Sequence, residues 1–234
     1  MINKQLLFQQ STELGIDLSD TALNNFDIYA NELVEWNQKM NLTAITEPDD
    51  IVIKHFVDSI MLLKYADVPQ GAKIIDVGTG AGFPGVPLKI AREDIELTLM
   101  DSLNKRLIFL EDVIDKCSLS AELIHSRAED LGKNEDFREK FDIATARAVA
   151  PLNVLCEYCM PFVKVGGTFV ALKGSSDEVS TADNAIKELG GEIIKDVSYK
   201  LSNGDGRSVV SIKKISQTPT KYPRKSKKIS TQPL

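Results

Sequence analysis

The segment Asp76-Val-Gly78-Thr-Gly80-Ala-Gly82-Phe83-Pro84-Gly85 concentrates residues that let a ligand lie against bare backbone. Glycine lacks the Cβ that would obstruct such an approach and accepts the conformations a tight turn requires. Two ligand classes fit the spacing. Gly80, Gly82 and Gly85 make Gly-x-Gly-x-x-Gly, a weak signature of a dinucleotide. Asp76, Gly78, Gly80 and Gly82 make Asp-x-Gly-x-Gly-x-Gly, the loop with which class I methyltransferases hold S-adenosyl-L-methionine. Charge separates the two. A carboxylate at the strand end would repel a pyrophosphate packed against the turn, whereas it favours the ammonium group of the methyl donor.

Further polar residues stand where strands should end. Asp101 closes the run Glu96–Asp101, and an acid there can accept hydrogen bonds from both hydroxyls of a ribose. Asp101 or Ser102 can equally cap the next helix. Ala128 and Glu129 follow the third run and could border an adenine, or simply open a helix. Arg147 ends the fourth run, and a guanidinium at the mouth of a site needs a partner. A cofactor carboxylate, an RNA phosphate or an acid of the protein itself would serve.

For these residues to converge, the strands must lie side by side and parallel. The spacing predicts strands at 73–77, 96–101, 122–125, 141–146 and 167–173, separated by helical stretches such as 104–116, 151–163 and 178–189. Alternation of this kind implies an α/β sheet with right-handed crossovers. Two last strands, near 193–201 and 208–215, flank the turn Ser202-Asn-Gly-Asp-Gly206 and predict an antiparallel hairpin. The expected fold is a class I, Rossmann-like, mostly parallel seven-stranded sheet. Residues 1–70 read as helices, with Ser19 a plausible N-cap and Leu23, Phe26, Ala30 and Leu33 at helical steps. The division expected is a helical extension at 1–70, a donor-binding core at 71–216 and a basic flexible tail at 217–234.

Composition narrows the setting. The chain has 234 residues, and no apolar run approaches the length of a membrane span. No secretory signal stands at the N-terminus, and the cysteines are sparse (Cys117, Cys156 and Cys159), which points to a reducing, cytoplasmic location. Cys156 and Cys159 have Cys-x-x-Cys spacing but lie in an expected helix with no second pair, so a zinc site has little support. Trp36 falls in an amphipathic helix and reads as core.

The net charge of −6 is unevenly spread. From Arg207 onward there are eight basic residues and no acidic ones, leaving 20 basic against 34 acidic before them, a balance of −14. Such an end is either a solvated tail or an arm that neutralises phosphates. Lys173, Arg207, Lys221 and Arg224 are the candidate phosphate contacts.

Taken in order along the chain, Asn41-Leu-Thr-Ala44, His55-Phe-Val-Asp58-Ser59, the glycine segment, Asp101-Ser102 with Lys105-Arg106, Thr145-Ala-Arg147-Ala148, Ala171-Leu-Lys-Gly174 and Thr220-Lys-Tyr-Pro-Arg-Lys225 resemble the RsmG (GidB) family of bacterial methyltransferases. The resemblance implies donor contacts at Gly78, Phe83, Ala128, Glu129 and Arg147, with Asp101 at the ribose. It implies methylation at N7 of a guanine in the decoding-region loop of 16S ribosomal RNA, presented as RNA or as a small-subunit particle. No obligate protein partner and no membrane are expected. The ending departs from the family pattern, because Ser226-Lys-Lys-Ile-Ser-Thr231 stands where a glycine-containing segment is usual.

Guanine N7 carries a lone pair and no proton, so its methylation needs alignment and no general base. No catalytic acid–base residue and no metal are therefore expected. A small-molecule methyltransferase, a dinucleotide oxidoreductase and a non-catalytic RNA-binding protein are the competing readings. RNA dependence, NAD binding and turnover respectively separate them.

Overall fold

In the computed structural model, which describes residues 1–147, 150–174 and 179–234, seven strands form one sheet in the order β3-β2-β1-β4-β5-β7-β6. They are β1 (Lys73–Val77), β2 (Glu96–Asp101), β3 (Ala121–His125), β4 (Phe141–Arg147), β5 (Val163–Gly174), β6 (Gly191–Lys200) and β7 (Gly206–Lys214). Strands β1 to β5 run parallel, and β7 pairs antiparallel with both β5 and β6. The expected mixed sheet and its terminal hairpin are both present. The inner strands β1 and β4 are buried along nearly their whole length, as strands covered by helices on both faces must be.

Strand order reverses between β1 and β4, so the chain leaves these neighbours in opposite directions and opens a crevice beyond their carboxyl ends. The crossovers include α5 (Gly85–Ala91), α6 (Asn104–Lys116), α7 (Ala128–Leu131), α8 (Leu152–Cys159) and α9 (Val179–Glu188). Ala148, Val149 and Glu178, where the expected α9 stretch begins, lie outside the described residues.

The N-terminal region forms α1 (Lys4–Glu13), α2 (Asp20–Asn37), α3 (Pro48–Ile51), a π-helical turn (Val52–Val57) and α4 (Asp58–Tyr65). Ser19 caps α2 by accepting from the Ala22 amide, as its sequence position predicts. These helices share a core with the sheet: Phe26, Tyr29, Leu33 and Phe56 pack into the same cluster as Leu99, Phe109 and Leu110. The Tyr29 hydroxyl donates to the Ala81 carbonyl inside the glycine segment, and Trp36 Nε1 donates to Asp112 at 2.8 Å. Residues 1–70 thus form one wall of the core. Cys156 and Cys159 are free and buried on α8, and no group of His, Cys, Asp and Glu suited to a metal ion occurs among the described residues. No described helix is long and apolar enough to cross a membrane.

The tail corrects the expectation of a flexible arm. Arg138 bonds the carbonyls of Gly132, Tyr222 and Thr218 at 2.9, 2.9 and 2.7 Å. The buried Lys214 Nζ donates to Thr218 Oγ1, and Arg224 Nη2 lies 2.6 Å from Glu157 Oε2. Tyr222 and Ile229 are buried, and α10 (Ser226–Thr231) packs near α8. Composition describes a solvated polymer, but here the polar groups find fixed partners far away in the chain, which no local pattern reports.

Candidate active site

The glycine turn is built from beneath. Asp76 is fully buried; its Oδ2 accepts from Thr79 Oγ1 at 2.7 Å and from the Gly85 amide at 2.9 Å. Its Oδ1 has no hydrogen-bond partner among the described residues. Burial raises its pKa to about 6 against the pull of those two bonds. Asp76 lines neither of the cavities above the turn, so the carboxylate expected at the mouth is instead the clamp that holds the turn shut. Asp101 is the strand-end acid that lines the second of these cavities. Its Oδ2 accepts from the Gly80 amide at 2.9 Å and its Oδ1 from the Leu103 amide at 2.9 Å, with Arg106 Nη1 3.1 Å away. The expected capping role is not met, because α6 has Leu103 at its N-cap and no side-chain cap; Asp101 instead holds the Gly80 and Leu103 amides of the two turns.

The glycines divide by purpose. Gly80 has φ +61°, and a Cβ there would meet nothing in the protein nearer than 4.0 Å, leaving space for a ligand. A Cβ at Gly82 would lie within 2.8 Å of Leu110, Tyr29 and Val86 at φ +94°, so this glycine is required by packing.

Three adjoining cavities follow the ends of the strands. The first, about 180 Å³, lies over β1 and β2 and is walled by Val77, Met100, Ala128, Glu129, Leu155, Tyr158 and Ser226. The second, about 450 Å³, contains Thr43, His55, Gly80, Phe83, Asp101, Arg106 and Arg147, and shares Gly78 and Ser102 with the first. The third, about 270 Å³, contains Lys54, Asp58, Lys173 and Arg207, and shares His55 and Arg147 with the second. A larger cavity of about 580 Å³ sits at the amino ends of β1 and β2, around Lys73 and Glu96, where open sheets do not bind ligands.

Arg147 organises the boundary between the second and third cavities. Its Nη1 reaches the carbonyls of Lys54 at 3.2 Å and His55 at 3.4 Å, which the widened π turn presents to it, and Asp58 Oδ2 at 3.2 Å. Its Nη2 lies 3.1 Å from His55 Nδ1, and its face covers Phe83 at 4.6 Å. Of the partners open to Arg147, the structure supplies the protein carboxylate. Asp58 Oδ1 also takes Tyr199 Oη at 3.2 Å and lies 3.4 Å from Arg207 Nε. His55 stacks on Phe83 with centroids 4.4 Å apart. A guanidinium only donates, so His55 Nδ1 accepts and the ring proton sits on Nε2, 2.8 Å from Thr43 Oγ1. Burial first and the Arg147 charge second hold the His55 pKa down to about 3, so the ring is neutral.

The crevice therefore gathers Gly78, Gly80, Phe83, Asp101, Ala128, Glu129 and Arg147 of the sequence candidates, with Lys173 and Arg207 at its far end. Lys173 is buried and donates to the Ala150 carbonyl at 2.6 Å. Lys221 and Arg224 are not brought there. Lys221 is exposed beside Glu188, and Arg224 is held in an ion pair with the buried Glu157. Sequence reasoning gave Ser102 only a capping role and gave none to Leu155, Tyr158, Thr43 or Ser226. Ser102 adjoins a strand-end acid, and Leu155 and Tyr158 share a helix face, so both signals were available; Ser226 depends on the docked tail and had none.

Comparison with known proteins agrees with this geometry. A family model described as GidB, rRNA small subunit methyltransferase G, matches residues 22–206. The chain is 51% identical over 235 residues to Ribosomal RNA small subunit methyltransferase G of Alkaliphilus oremlandii, covering 99% of this chain and 98% of that one. It is 50% identical over 234 residues to the protein of that name from a Thermoanaerobacter species, covering 98% of each. Among solved structures, a SAM-dependent methyltransferase from Aquifex aeolicus superposes with a TM-score of 0.54 at 15% identity, over 76% of this chain and 97% of that one, a likeness of fold.

Proposed function

The chain belongs to the GidB family of small-subunit ribosomal RNA methyltransferases, and we propose that it transfers the methyl group of S-adenosyl-L-methionine to N7 of a guanine in the decoding-region loop of 16S ribosomal RNA. The observation that carries this reading is Asp101, pinned by the Gly80 and Leu103 amides where the first two cavities meet. A fixed carboxylate at that point accepts the ribose hydroxyls of a nucleoside cofactor, and the family identifies that cofactor as the methyl donor. Arg106 remains 37% exposed and is the donor a ribose hydroxyl would displace.

The residues present fit the donor. Val77, Met100, Ala128 and Leu155 give an apolar slot for an adenine, with Glu129 and Ser102 at its polar edge. Gly78, Gly80 and Phe83 would border the remainder of the molecule, with Asp76 holding the turn in shape. When bound, S-adenosyl-L-methionine supplies an electrophilic methyl group on a sulfonium. Everything else is alignment, since N7 has no proton to lose. The polar groups at the crevice support that view. His55 has both ring nitrogens engaged, and Asp58 already receives Arg147, Arg207 and Tyr199. Lys54, Lys173 and Arg207 around the third cavity are the cations nearest an RNA strand whose base reaches the second.

Labelled donor incubated with the protein and ribosomal RNA lacking the modification should label the RNA. Label on a metabolite with none on RNA would select the small-molecule reading, and calorimetric uptake of NAD without uptake of the methyl donor would reject both.

A further inference from the structure

One proton in the crevice has no acceptor among the described residues. The tautomer of His55 is fixed by Arg147, so its Nε2–H is donated to Thr43 Oγ1. The Ile45 amide donates to the same oxygen at 3.0 Å. A hydroxyl oxygen accepts two hydrogen bonds and donates one. Both accepting positions of Thr43 are filled, and among the described residues nothing receives its proton. Thr43 lines the second cavity with Gly78, Phe83 and Asp101, and its partner His55 also lines the basic third cavity. The hydroxyl stands on the side of the crevice that adjoins the cations, away from the apolar slot.

Building on the guanine-N7 reading, we propose that Thr43 donates this hydrogen bond to O6 of the target guanine and so positions the base and selects it. O6 and N7 are neighbouring acceptors on one edge of guanine, so a donor held to O6 fixes the line along which N7 approaches the methyl group. Adenine presents an amino group in place of O6 and would set donor against donor. The ordered chain from Asp58 through Arg147 and His55 explains why Thr43 faces the crevice as a donor: it fills one accepting position of the hydroxyl oxygen from behind, and the Ile45 amide fills the other.

The test uses the full-length protein and unmodified 16S ribosomal RNA carrying, at the target position, either guanine or 2-aminopurine, which keeps N7 and lacks O6. Wild-type kcat/KM should favour guanine, and Thr43→Val should shrink that preference about tenfold. Thr43→Ser should restore it, and donor affinity should stay within about twofold in both variants. A purely structural disturbance would lower both substrates together and leave the ratio unmoved, which would overturn the proposal. Loss of donor affinity with the base preference intact would also overturn it, because the hydroxyl would then serve the donor's carboxylate. If the wild type methylates neither RNA, the guanine-N7 reading itself falls and takes this role with it; wild-type turnover with an unchanged ratio in Thr43→Val removes Thr43 alone.

Discussion

Arg147 Nη1 and Asp58 Oδ2 are 3.2 Å apart across the crevice, on side chains only 13% and 6% exposed. The pair ties the end of β4 to the start of α4, and with it the N-terminal wall to the sheet. Removing one member of a buried pair leaves an uncompensated charge. Asp58→Asn is therefore expected to lower the stability of the protein by about 3 kcal/mol in urea unfolding. Arg147→Lys should also weaken it, since a single ammonium cannot bond the Lys54 carbonyl, Asp58 and His55 Nδ1 as the guanidinium does. Wild-type stability in both variants would show that the pair carries none of that connection.

A similar argument applies to the tail. Arg224 Nε and Nη2 bond Glu157, whose exposure is 1%, and Ser226 just beyond lines the slot assigned to adenine. Glu157→Gln should expose residues 217–234 to protease and reduce affinity for S-adenosyl-L-methionine severalfold. Unchanged donor affinity after complete cleavage of the tail would contradict this coupling.

Gly80 and Gly82 should fail in different ways. At Gly82 a methyl group meets three side chains within 2.8 Å, so Gly82→Ala is expected to cost about 2–4 kcal/mol of stability. At Gly80 the methyl enters open space, so Gly80→Ala should cost about 1 kcal/mol of stability and lose donor affinity more than tenfold. Equal losses of stability in the two variants, read by thermal unfolding, would refute the division.

The contrast between those glycines shows what the sequence could and could not say. Spacing located the turn, the strand ends and Asp101, because apolar runs and the residues closing them are local features. It misjudged Asp76: a residue at a strand end can point up to the crevice or down beneath the turn, and the sequence does not separate the two. Arg147 was legible as a charge needing a partner, but choosing Asp58 among the acids requires the fold. The tail was misread for the same reason, since the partners of Arg224 and Thr218 lie on α8, β7 and the loop before β4, at separations composition does not sense.

The burial of Asp76 has a pH signature. Its pKa is raised from 3.8 to about 6 in the folded protein, so the native state binds the proton more tightly. The stability this confers is complete below about 4 and is lost as pH rises through about 6. Asp76→Asn removes the dependence, so the stability of the variant minus that of the wild type should rise by roughly 2 kcal/mol from pH 4 to pH 6 and by about 3 kcal/mol from pH 3 to pH 7. His55, held near 3 against an ordinary 6.5, acts in the opposite direction in both proteins and cancels from the difference. A flat difference curve, from urea unfolding at several pH values, would mean that Asp76 titrates normally.

The most direct measurement maps the modification itself. Unmodified 16S ribosomal RNA would be treated with the protein and donor, then cleaved chemically at 7-methylguanine and read by primer extension. One new stop, at a guanine of the decoding-region loop, is the result expected. Methyl label in the RNA without any such stop would place the transfer on another atom and contradict the account.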